Sequence, residues 1–553
     1  MKISRLGLIA LIAAFLIPHG AWGQTLVLQG GTLIDGTGKE PVNNAVVVIQ
    51  GNRIQAVGTA GQVVVPANAR VIKTDGRYIL PGLIDGHIHL YADYAPEMYL
   101  HYGVTTIVDL NNDTNWSLLQ RDDLRSGRIK GPRFYISGEA ANGPTMVTNN
   151  RPGSSVYTQD RVLVMSLRNA QEAREYVRKM KALGVDCIKT DYSLTLDQVA
   201  AIVDEANKVG LPVVGHSQNI LKVSALGEKY MEHTNTLGWA ILDQMGGEDK
   251  VREGGANPER LMDMSLVPAV VKTLVERGVF VNPTFVARFK NYSPHRAEWS
   301  KDGLDALKDP VLASMVDEDS KEAWKKMGDT APTPDVQGFK NVQEFVRQYA
   351  AAGGKLVVGT DEEGENEPGL SVDHEMEMMV DADVPPMKVI QAATLWAAQS
   401  IWLDKNIGSV EPGKLADITV IEGNPLNDIT ATKNVRVVIK DGQVLDTSYD
   451  PKGMTKVPRP FGLVPVMTAI NPPMTWLGSG EVTLQIDGVR FSPKSVVHFD
   501  STELKTQFVS STKLTATVDS KLLQNAGSYN IFVLNPGASG GASNGIYLFV
   551  DSK

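Results

Sequence analysis

Two histidines, His87 and His89, stand two residues apart at the end of an apolar run over residues 78–84. The run has the composition of a buried strand, and on a strand residues i and i+2 point to the same face. Both imidazoles are therefore aimed at one point, a geometry that can chelate a divalent metal ion. Because two packed or surface histidines could give the same pattern, the metal hypothesis depends on further ligands downstream.

Further residues with metal-ligand chemistry stand at the ends of other short apolar segments. They are Lys189, His216, His233 and Asp361. The chain has only nine histidines, and four of them stand at such segment ends, which makes chance placement improbable. In a parallel barrel the carboxyl ends of the strands meet at one face. The pattern therefore predicts that these side chains share one metal site.

The segments that must position these residues alternate between short strands and amphipathic helices over about residues 81–404. The strands are predicted at 83–90, 104–110, 133–138, 186–190, 212–217, 230–235, 279–285 and 355–361. Three helices are predicted at about 171–183, 195–209 and 266–277, the second with a capping box between Thr195 and Gln198. Eight strands with intervening helices predict a (β/α)₈ TIM barrel with insertions. A doubly wound open sheet is the alternative that the pattern leaves.

The regions on either side of this α/β part read as β-structure. Residues 24–80 and about 405–447 carry short strands separated by turns, which indicates a small β unit. Residues 448–462 contain several prolines and a glycine and are predicted to be a linker. Residues 463–553 contain many short strands and no long helix, which is typical of a β-sandwich.

The N-terminal residues predict export. Residues 1–23 combine a short basic start, an apolar run and small residues before a cleavage point, which is the pattern of a signal peptide. We expect a periplasmic or secreted protein with no membrane span once this segment is removed. An uncleaved apolar anchor is the alternative.

The composition excludes several partners and frameworks. A net charge of −9 without a basic block excludes nucleic acids and anionic membranes as expected partners. Cys187 is the only cysteine, which excludes an intrachain disulfide.

At the residues described above the sequence resembles the amidohydrolase superfamily, in the prolidase- and imidazolonepropionase-like branch with two metal ions. Residues 103–106, 392–394 and 408–417 also resemble signatures of that family. The resemblance covers about residues 25–447. It implies that residues 24–80 and 405–447 pair into one small β-sandwich beside the barrel of residues 81–404.

The resemblance also implies a set of metal ligands. One divalent ion, zinc in the first instance, would be held by His87, His89 and Asp361, and a second by His216 and His233. A one-metal site is the main alternative to this arrangement.

Lys189 would bridge the two ions as a carbamate formed with CO₂. An unmodified ammonium group would repel two cations, whereas the carbamate offers two negatively charged oxygen ligands. Asp361 would be the catalytic residue, because a carboxylate there can accept a proton from water and deliver it to the leaving nitrogen.

The function that follows is hydrolysis of amide-type C–N bonds in small dipeptide-like substrates or N-acyl amino acids. Arg288 and Tyr292 follow the seventh strand and could bind a substrate carboxylate, although a solvated loop would look the same. The Gly-Gly-His-Gly run that we associate with dipeptide hydrolysis is replaced here at residues 138–144. Hydrolysis of lactones, phosphoesters or ring C–N bonds, and a non-catalytic extracellular binding protein, are the alternatives.

The C-terminal segment resembles an IPT/TIG-type immunoglobulin-like domain. The resemblance is carried by residues 470–472, 488–491, 514–516 and 533–536. It implies an Ig-like β-sandwich that mediates attachment to a surface or self-association. A spacer or a partner for the catalytic domain is the interpretation that we favour.

Overall fold

The structure, a computed structural model, describes most of the chain between residues 25 and 552. The described ranges are 25–90, 92, 94–112, 114–143, 165–217, 219–254, 257–329, 336–362, 366–450, 465–500, 502–535, 541–543 and 545–552. The predicted signal peptide lies outside the described residues, as does most of the predicted linker.

Each of the eight strands predicted for the central region has an observed counterpart, and all of them pair in parallel. Their bounds are Leu83–Ile88, Val104–Asp109, Arg133–Ile136, Ile188–Thr190, Val213–Gly215, Tyr230–Glu232, Phe280–Asn282 and Lys355–Leu356. Two short parallel strands, Ala141–Asn142 and Met165–Ser166, extend the second group. Within the described residues the strands form three parallel sheets. The central region therefore has a mixed α/β fold.

Hydrogen bonds continue the pairing beyond the individual sheets. The backbone N–H of Asp186 donates to the carbonyl of Ile136 at 2.9 Å, which links the first sheet to the second. The N–H of Gly86 donates to the carbonyl of Val358 at 2.8 Å, which brings the segment after the last parallel strand against the first strand. The first and last strands are therefore neighbours, as a barrel requires. Closure of all eight strands into one barrel stays a prediction.

Helices occupy the connections between the parallel strands. Their bounds are Ala95–His101, Thr114–Ser126, Ala170–Leu183, Leu196–Val209, Ile220–Ala225, Asn235–Gly254, Val267–Glu276, Phe285–Phe289, Arg296–Ala306, Pro310–Met315, Glu318–Asp329, Gln337–Ala351, Leu370–Asp381, Pro386–Ala392 and Leu395–Ser400. Short 3₁₀ turns lie at Pro258–Leu261, Met264–Leu266, Lys290–Tyr292, Ile429–Lys433 and Ser520–Leu523. None of the helices in the described part of the chain is both long and apolar enough to cross a membrane.

The predicted helices are confirmed to within a few residues. The helix Leu196–Val209 has the predicted capping box, in which the hydroxyl of Thr195 and the side chain of Gln198 each accept a backbone N–H. It ends at Gly210, whose φ of 70° is the left-handed conformation that glycine adopts without a Cβ clash. Local side-chain chemistry is sufficient to define these boundaries.

Two β-sheets flank the central region and combine both ends of it. Their strands are Leu26–Gln29, Thr32–Leu33, Ala45–Gln50, Arg53–Thr59, Arg70–Lys73, Arg77–Pro81, Ile418–Glu422, Val435–Lys440 and Gln443–Val444. Arg77–Pro81 pairs antiparallel with Ile418–Glu422, so segments far apart in the sequence share one sheet. Leu28, Ile79 and Ile418 are buried in one apolar cluster between the sheets. This pairing fixes the point at which the chain enters the first parallel strand.

The C-terminal region forms two further sheets around its own apolar core. The strands are Val466–Asn471, Met474–Trp476, Val482–Val489, Val496–Phe499, Thr502–Glu503, Lys505–Ser510, Lys513–Val518, Gly527–Asn535, Gly541–Ala542 and Ile546–Asp551. This region contacts the helix Ala170–Leu183, where Lys179 Nζ lies 2.9 Å from Asp500 Oδ1. The ammonium group also lies over the ring of Tyr547, 4.7 Å from its centroid.

Candidate metal centre

The first parallel strand and the segment after the last one place three of the predicted ligands together. His87 lies in the strand Leu83–Ile88, and His89 follows its end. The backbone N–H of Asp361 donates to the carbonyl of His87 at 2.7 Å, which sets the carboxylate beside the two histidines. Gly359 permits this approach, because a Cβ there would lie 2.9 Å from the Cβ of His87.

The side chains of the predicted ligands converge at this point. Asp361 Oδ1 lies 3.1 Å from His87 Nε2 and 3.1 Å from His89 Nε2, and Oδ2 lies 3.8 Å from His233 Nε2. One atom each from His87, His233 and Asp361 lie within 4.8 Å of one another, so these three can hold a metal ion. The His216 ring lies 4.4 Å from that of His233, centroid to centroid. The four histidines and the aspartate thus form one cluster.

Lys189 lies beside this cluster, and no residue in the described part of the chain forms a hydrogen bond with its amino group. Its side chain is 3% exposed. Burial, followed by the charge of Lys189, lowers the pKa of His87, so the ammonium group is close enough to act on this ligand. A buried amino group without an acceptor is costly in a finished structure. The surroundings of Lys189 therefore fit a metal site in which the amino group is converted to an anionic ligand.

The protonation states favour metal binding. Burial lowers the pKa of His87, His216 and His233 well below the usual range of histidine, so these imidazoles are neutral near pH 7. Burial alone would raise the pKa of Asp361, but the electrostatic and hydrogen-bonding contacts with the surrounding histidines, including a hydrogen bond from His89, hold it well below its usual range. Neutral imidazoles together with a carboxylate are the ligands that zinc and similar divalent ions prefer.

The backbone at the cluster has an unusual conformation. His233, Thr284 and Asp361 have φ angles of 59°, 47° and 53°, in the left-handed region that residues with a Cβ rarely adopt. Such residues persist only where surrounding contacts hold them, and they concentrate at functional sites. The three residues follow three different strands, so the unfavourable backbone conformations are concentrated at the ligand cluster.

Sequence reasoning missed the polar residues that support the ligands. Glu232 Oε2 lies 2.9 Å from His87 Nδ1 and accepts a hydrogen bond from Asn282 Nδ2 at 2.8 Å. Glu228 accepts a hydrogen bond from the hydroxyl of Thr190 at 2.8 Å. Burial raises the pKa of Glu232 to about 8 and that of Glu228 to about 7. No signal in the sequence links these glutamates to their partners.

Asp85 was also missed, although a signal for it was present. It stands two residues before His87, so the spacing of 85, 87 and 89 continues the same-face pattern along the strand. In the structure Asp85 is fully buried in the strand Leu83–Ile88. A carboxylate at this position should have been considered with the histidines.

The two predicted substrate-binding residues have different surroundings. Arg288 Nη2 donates to Glu259 Oε1 at 2.8 Å, and the charge of Arg288 is among the causes that lower the pKa of His233. Arg288 is therefore close to the ligand cluster. The Tyr292 ring packs against Phe289 and Phe339, with ring centroids 6.0 Å away in each case. Substrate binding by either residue stays a prediction.

Known protein families match both the region that contains this cluster and the C-terminal sheets. The sequence model described as Amidohydrolase family matches residues 78–445, and that of the IPT/TIG domain matches residues 465–549. Among curated proteins, adenine deaminase 4 of Rhizobium meliloti (strain 1021) is 21% identical over 457 residues. That match covers 80% of this chain but 62% of the relative, so the chain spans less than two thirds of the relative's length.

Solved structures show the same fold. The crystal structure of a Xaa-Pro dipeptidase with bound methionine in the active site aligns with a TM-score of 0.54 at 22% identity, covering 76% of this chain and 100% of that one. A molinate hydrolase aligns with a TM-score of 0.56 at 22% identity, covering 79% of this chain and 98% of that one.

Proposed function

The chain belongs to the amidohydrolase family and carries an IPT/TIG domain, and from this premise we propose that it is an exported, metal-dependent hydrolase of amide-type C–N bonds in small substrates. The observation that carries the proposal is the convergence of the cluster around Asp361, with its neutral histidines and a buried Lys189 amino group that has no hydrogen-bond partner among the described residues.

Two divalent ions, zinc in the first instance, fit the donor set of this cluster. His87, His89 and Asp361 would hold one ion, and His216 and His233 the other. Lys189 would join them as a carbamate, which gives its unpartnered Nζ a role that a free ammonium group lacks. When bound, the ions supply Lewis-acid activation of water and of the substrate carbonyl.

The protein's own contribution to the reaction is the movement of one proton. The carboxylate of Asp361 accepts a proton from the attacking water as the water oxygen bonds to the carbonyl carbon. It then delivers that proton to the nitrogen as the C–N bond breaks. The low pKa of Asp361 keeps the carboxylate ionised in the resting state, ready for the first transfer.

The substrates that we propose are small amides with a free carboxylate, namely dipeptide-like compounds and N-acyl amino acids. Arg288 supports this choice, because Glu259 holds its guanidinium group close to His233, and a guanidinium group can bind a carboxylate through two parallel hydrogen bonds. The shared fold with a Xaa-Pro dipeptidase is compatible with such substrates.

Ring deamination is a second candidate function. The observation that favours it is the match to adenine deaminase 4 over 80% of this chain. The same cluster would then act at a ring carbon and release ammonia. A loss of adenine absorbance with release of ammonia would identify this activity.

The proposal also includes the domain architecture of the chain. We propose that the three parallel sheets close into one (β/α)₈ barrel over residues 81–404, flanked by a small β-sandwich of residues 24–80 and 405–447. Residues 448–462 would be the linker to the Ig-like domain of residues 463–553. Residues 1–23 would be removed during export to the periplasm or beyond, which N-terminal sequencing of the exported protein would test.

The decisive experiment combines metal analysis with a substrate screen. The purified full-length protein is expected to bind about two equivalents of zinc and, loaded with zinc or manganese, to hydrolyse dipeptides or N-acyl amino acids. Lactones and phosphotriesters serve as competing substrates. Turnover confined to these esters would overturn the amide assignment, and a protein that never binds metal would overturn the enzyme assignment.

A further inference from the structure

We infer that Thr284 is a positioning residue for metal binding, because its hydroxyl fixes the His233 ring in the tautomer whose Nε2 is free to bind metal. This inference rests on the proposed metal-dependent function. It concerns a residue just after the strand Phe280–Asn282, outside the set of predicted ligands.

The hydrogen bonds of the Thr284 hydroxyl determine which nitrogen of His233 carries the proton. Thr284 Oγ1 donates to the carbonyl of Pro283 at 2.8 Å and lies 2.6 Å from His233 Nδ1. A hydroxyl has a single proton, and here the Pro283 carbonyl accepts it. We therefore assign the bond to His233 as one in which Nδ1–H donates to the Thr284 oxygen. In a neutral imidazole the lone pair is then on Nε2, the nitrogen that faces Asp361 at 3.8 Å.

An ordinary structural role for this hydroxyl does not account for its contacts. Thr284 precedes the helix Phe285–Phe289, a position at which a threonine usually accepts a backbone N–H of the first turn. Its side chain makes no such bond here. The side chain of Glu375 caps the helix instead, because it accepts hydrogen bonds from the N–H groups of Phe285 and Val286 at 2.9 Å and 2.8 Å. The hydroxyl oxygen of Thr284 is therefore available to accept a hydrogen bond from His233.

The backbone of Thr284 shows that this placement has a conformational cost. Its φ of 47° lies in the left-handed region, which is strongly unfavourable for a β-branched residue. The two hydrogen bonds to Glu375, from the next two residues along the chain, hold the segment in this conformation. The conformation thus directs the hydroxyl toward the ligand instead of toward the helix that it precedes.

The test compares Thr284→Val with Thr284→Ser in the full-length protein. Valine keeps the branched shape but has no hydroxyl, whereas serine keeps the hydroxyl. Zinc affinity is measured by competition with a chromophoric chelator, and the visible spectrum of the cobalt-loaded protein reports the ligand geometry. We expect Thr284→Val to weaken metal binding by about 10- to 100-fold and to change the spectrum, and Thr284→Ser to stay within about threefold of the wild type.

Three outcomes decide the inference. Wild-type affinity and spectrum in a folded Thr284→Val would overturn it while leaving the proposed function intact. A wild-type protein that binds no metal would overturn the proposed function, and this inference with it. Histidine-labelled wild-type protein without metal gives a readout independent of any variant, since ¹⁵N shifts that show the proton of His233 on Nε2 would also overturn it.

Discussion

Asp85 accepts two hydrogen bonds from Thr360, one from the backbone N–H at 3.0 Å and one from the hydroxyl at 2.7 Å. It also accepts the backbone N–H of His87 at 3.2 Å. One buried carboxylate therefore joins the strand that carries His87 to the residue that precedes Asp361. Together with the hydrogen bond from the Asp361 N–H to the His87 carbonyl, this contact links the two segments that carry these proposed ligands.

Removal of this contact is expected to loosen the metal site in two steps. Thr360→Val removes one hydrogen bond, whereas Asp85→Ala removes all three and should lower metal affinity further, by about 10- to 100-fold. Chelator competition measures both. Asp446→Ala is the matched control, since Asp446 is exposed and accepts hydrogen bonds from the backbone N–H and the hydroxyl of Ser448. Equal affinity in Asp85→Ala and Asp446→Ala would contradict the prediction.

Lys189→Ala is expected to lower activity by more than about 100-fold and to reduce the bound metal, because it removes the proposed bridging ligand. Small carboxylic acids such as acetate or propionate should restore part of the activity, since a carboxylate can occupy the place of the carbamate. Lys181→Ala, at an exposed position, is the control. Full activity and metal content in Lys189→Ala would favour the one-metal site.

Arg288→Met is expected to raise KM for amides with a free carboxylate by about 10- to 100-fold, the value of one or two charged hydrogen bonds. Amides without a carboxylate should be affected little. Arg288→Lys should give an intermediate result, because lysine keeps the charge but not the forked geometry. Tyr292→Phe tests the second predicted contact, with an expected rise in KM of about fivefold. A parallel loss for both kinds of amide in Arg288→Met would indicate a structural role only.

Glu367 is expected to make the stability of the protein depend on pH. Burial raises its pKa from the ordinary value of 4.5 to about 8, and neither oxygen accepts a hydrogen bond from another described residue. Between these values the folded state keeps a proton that the unfolded state releases. The free energy of unfolding should thus fall as pH rises from about 5 to 8, by up to about 1.4 kcal/mol per unit, and then level off.

Glu367→Gln removes this titration and serves as the reference. Urea unfolding of both proteins at pH 5, 6.5 and 8 should show that the difference in stability between variant and wild type grows with pH. Curves that stay parallel over this range would refute the prediction.

Lys179→Glu is expected to separate the C-terminal region from the helix Ala170–Leu183. The substitution places two negative charges where Lys179 Nζ now lies 2.9 Å from Asp500 Oδ1. The radius of gyration from small-angle X-ray scattering should increase, and the double variant with Asp500→Lys should restore it. Hydrolysis rates should change little, because no predicted ligand lies in this contact. An unchanged radius in the single variant would show that other contacts hold the region in place.

The sequence by itself determined where the proposed ligands lie. His87 and His89 could be found because side chains alternate along a strand, and Asp361 because strand ends meet at one face. The helix Leu196–Val209 could be bounded because its capping box is formed by residues three positions apart. All of these features depend on short-range geometry, which the order of residues specifies directly.

The tertiary structure decided how those ligands are held. Asp85 and Thr360 are 275 positions apart, Glu232 and His87 are 145 apart, and Thr284 and His233 are 51 apart. A periodic pattern indicates that a polar residue is buried, but it does not indicate which other buried residue accepts its hydrogen bond. That choice, and the pKa shifts that follow from burial, arise only when packing brings polar atoms of distant segments to within about 3 Å of each other.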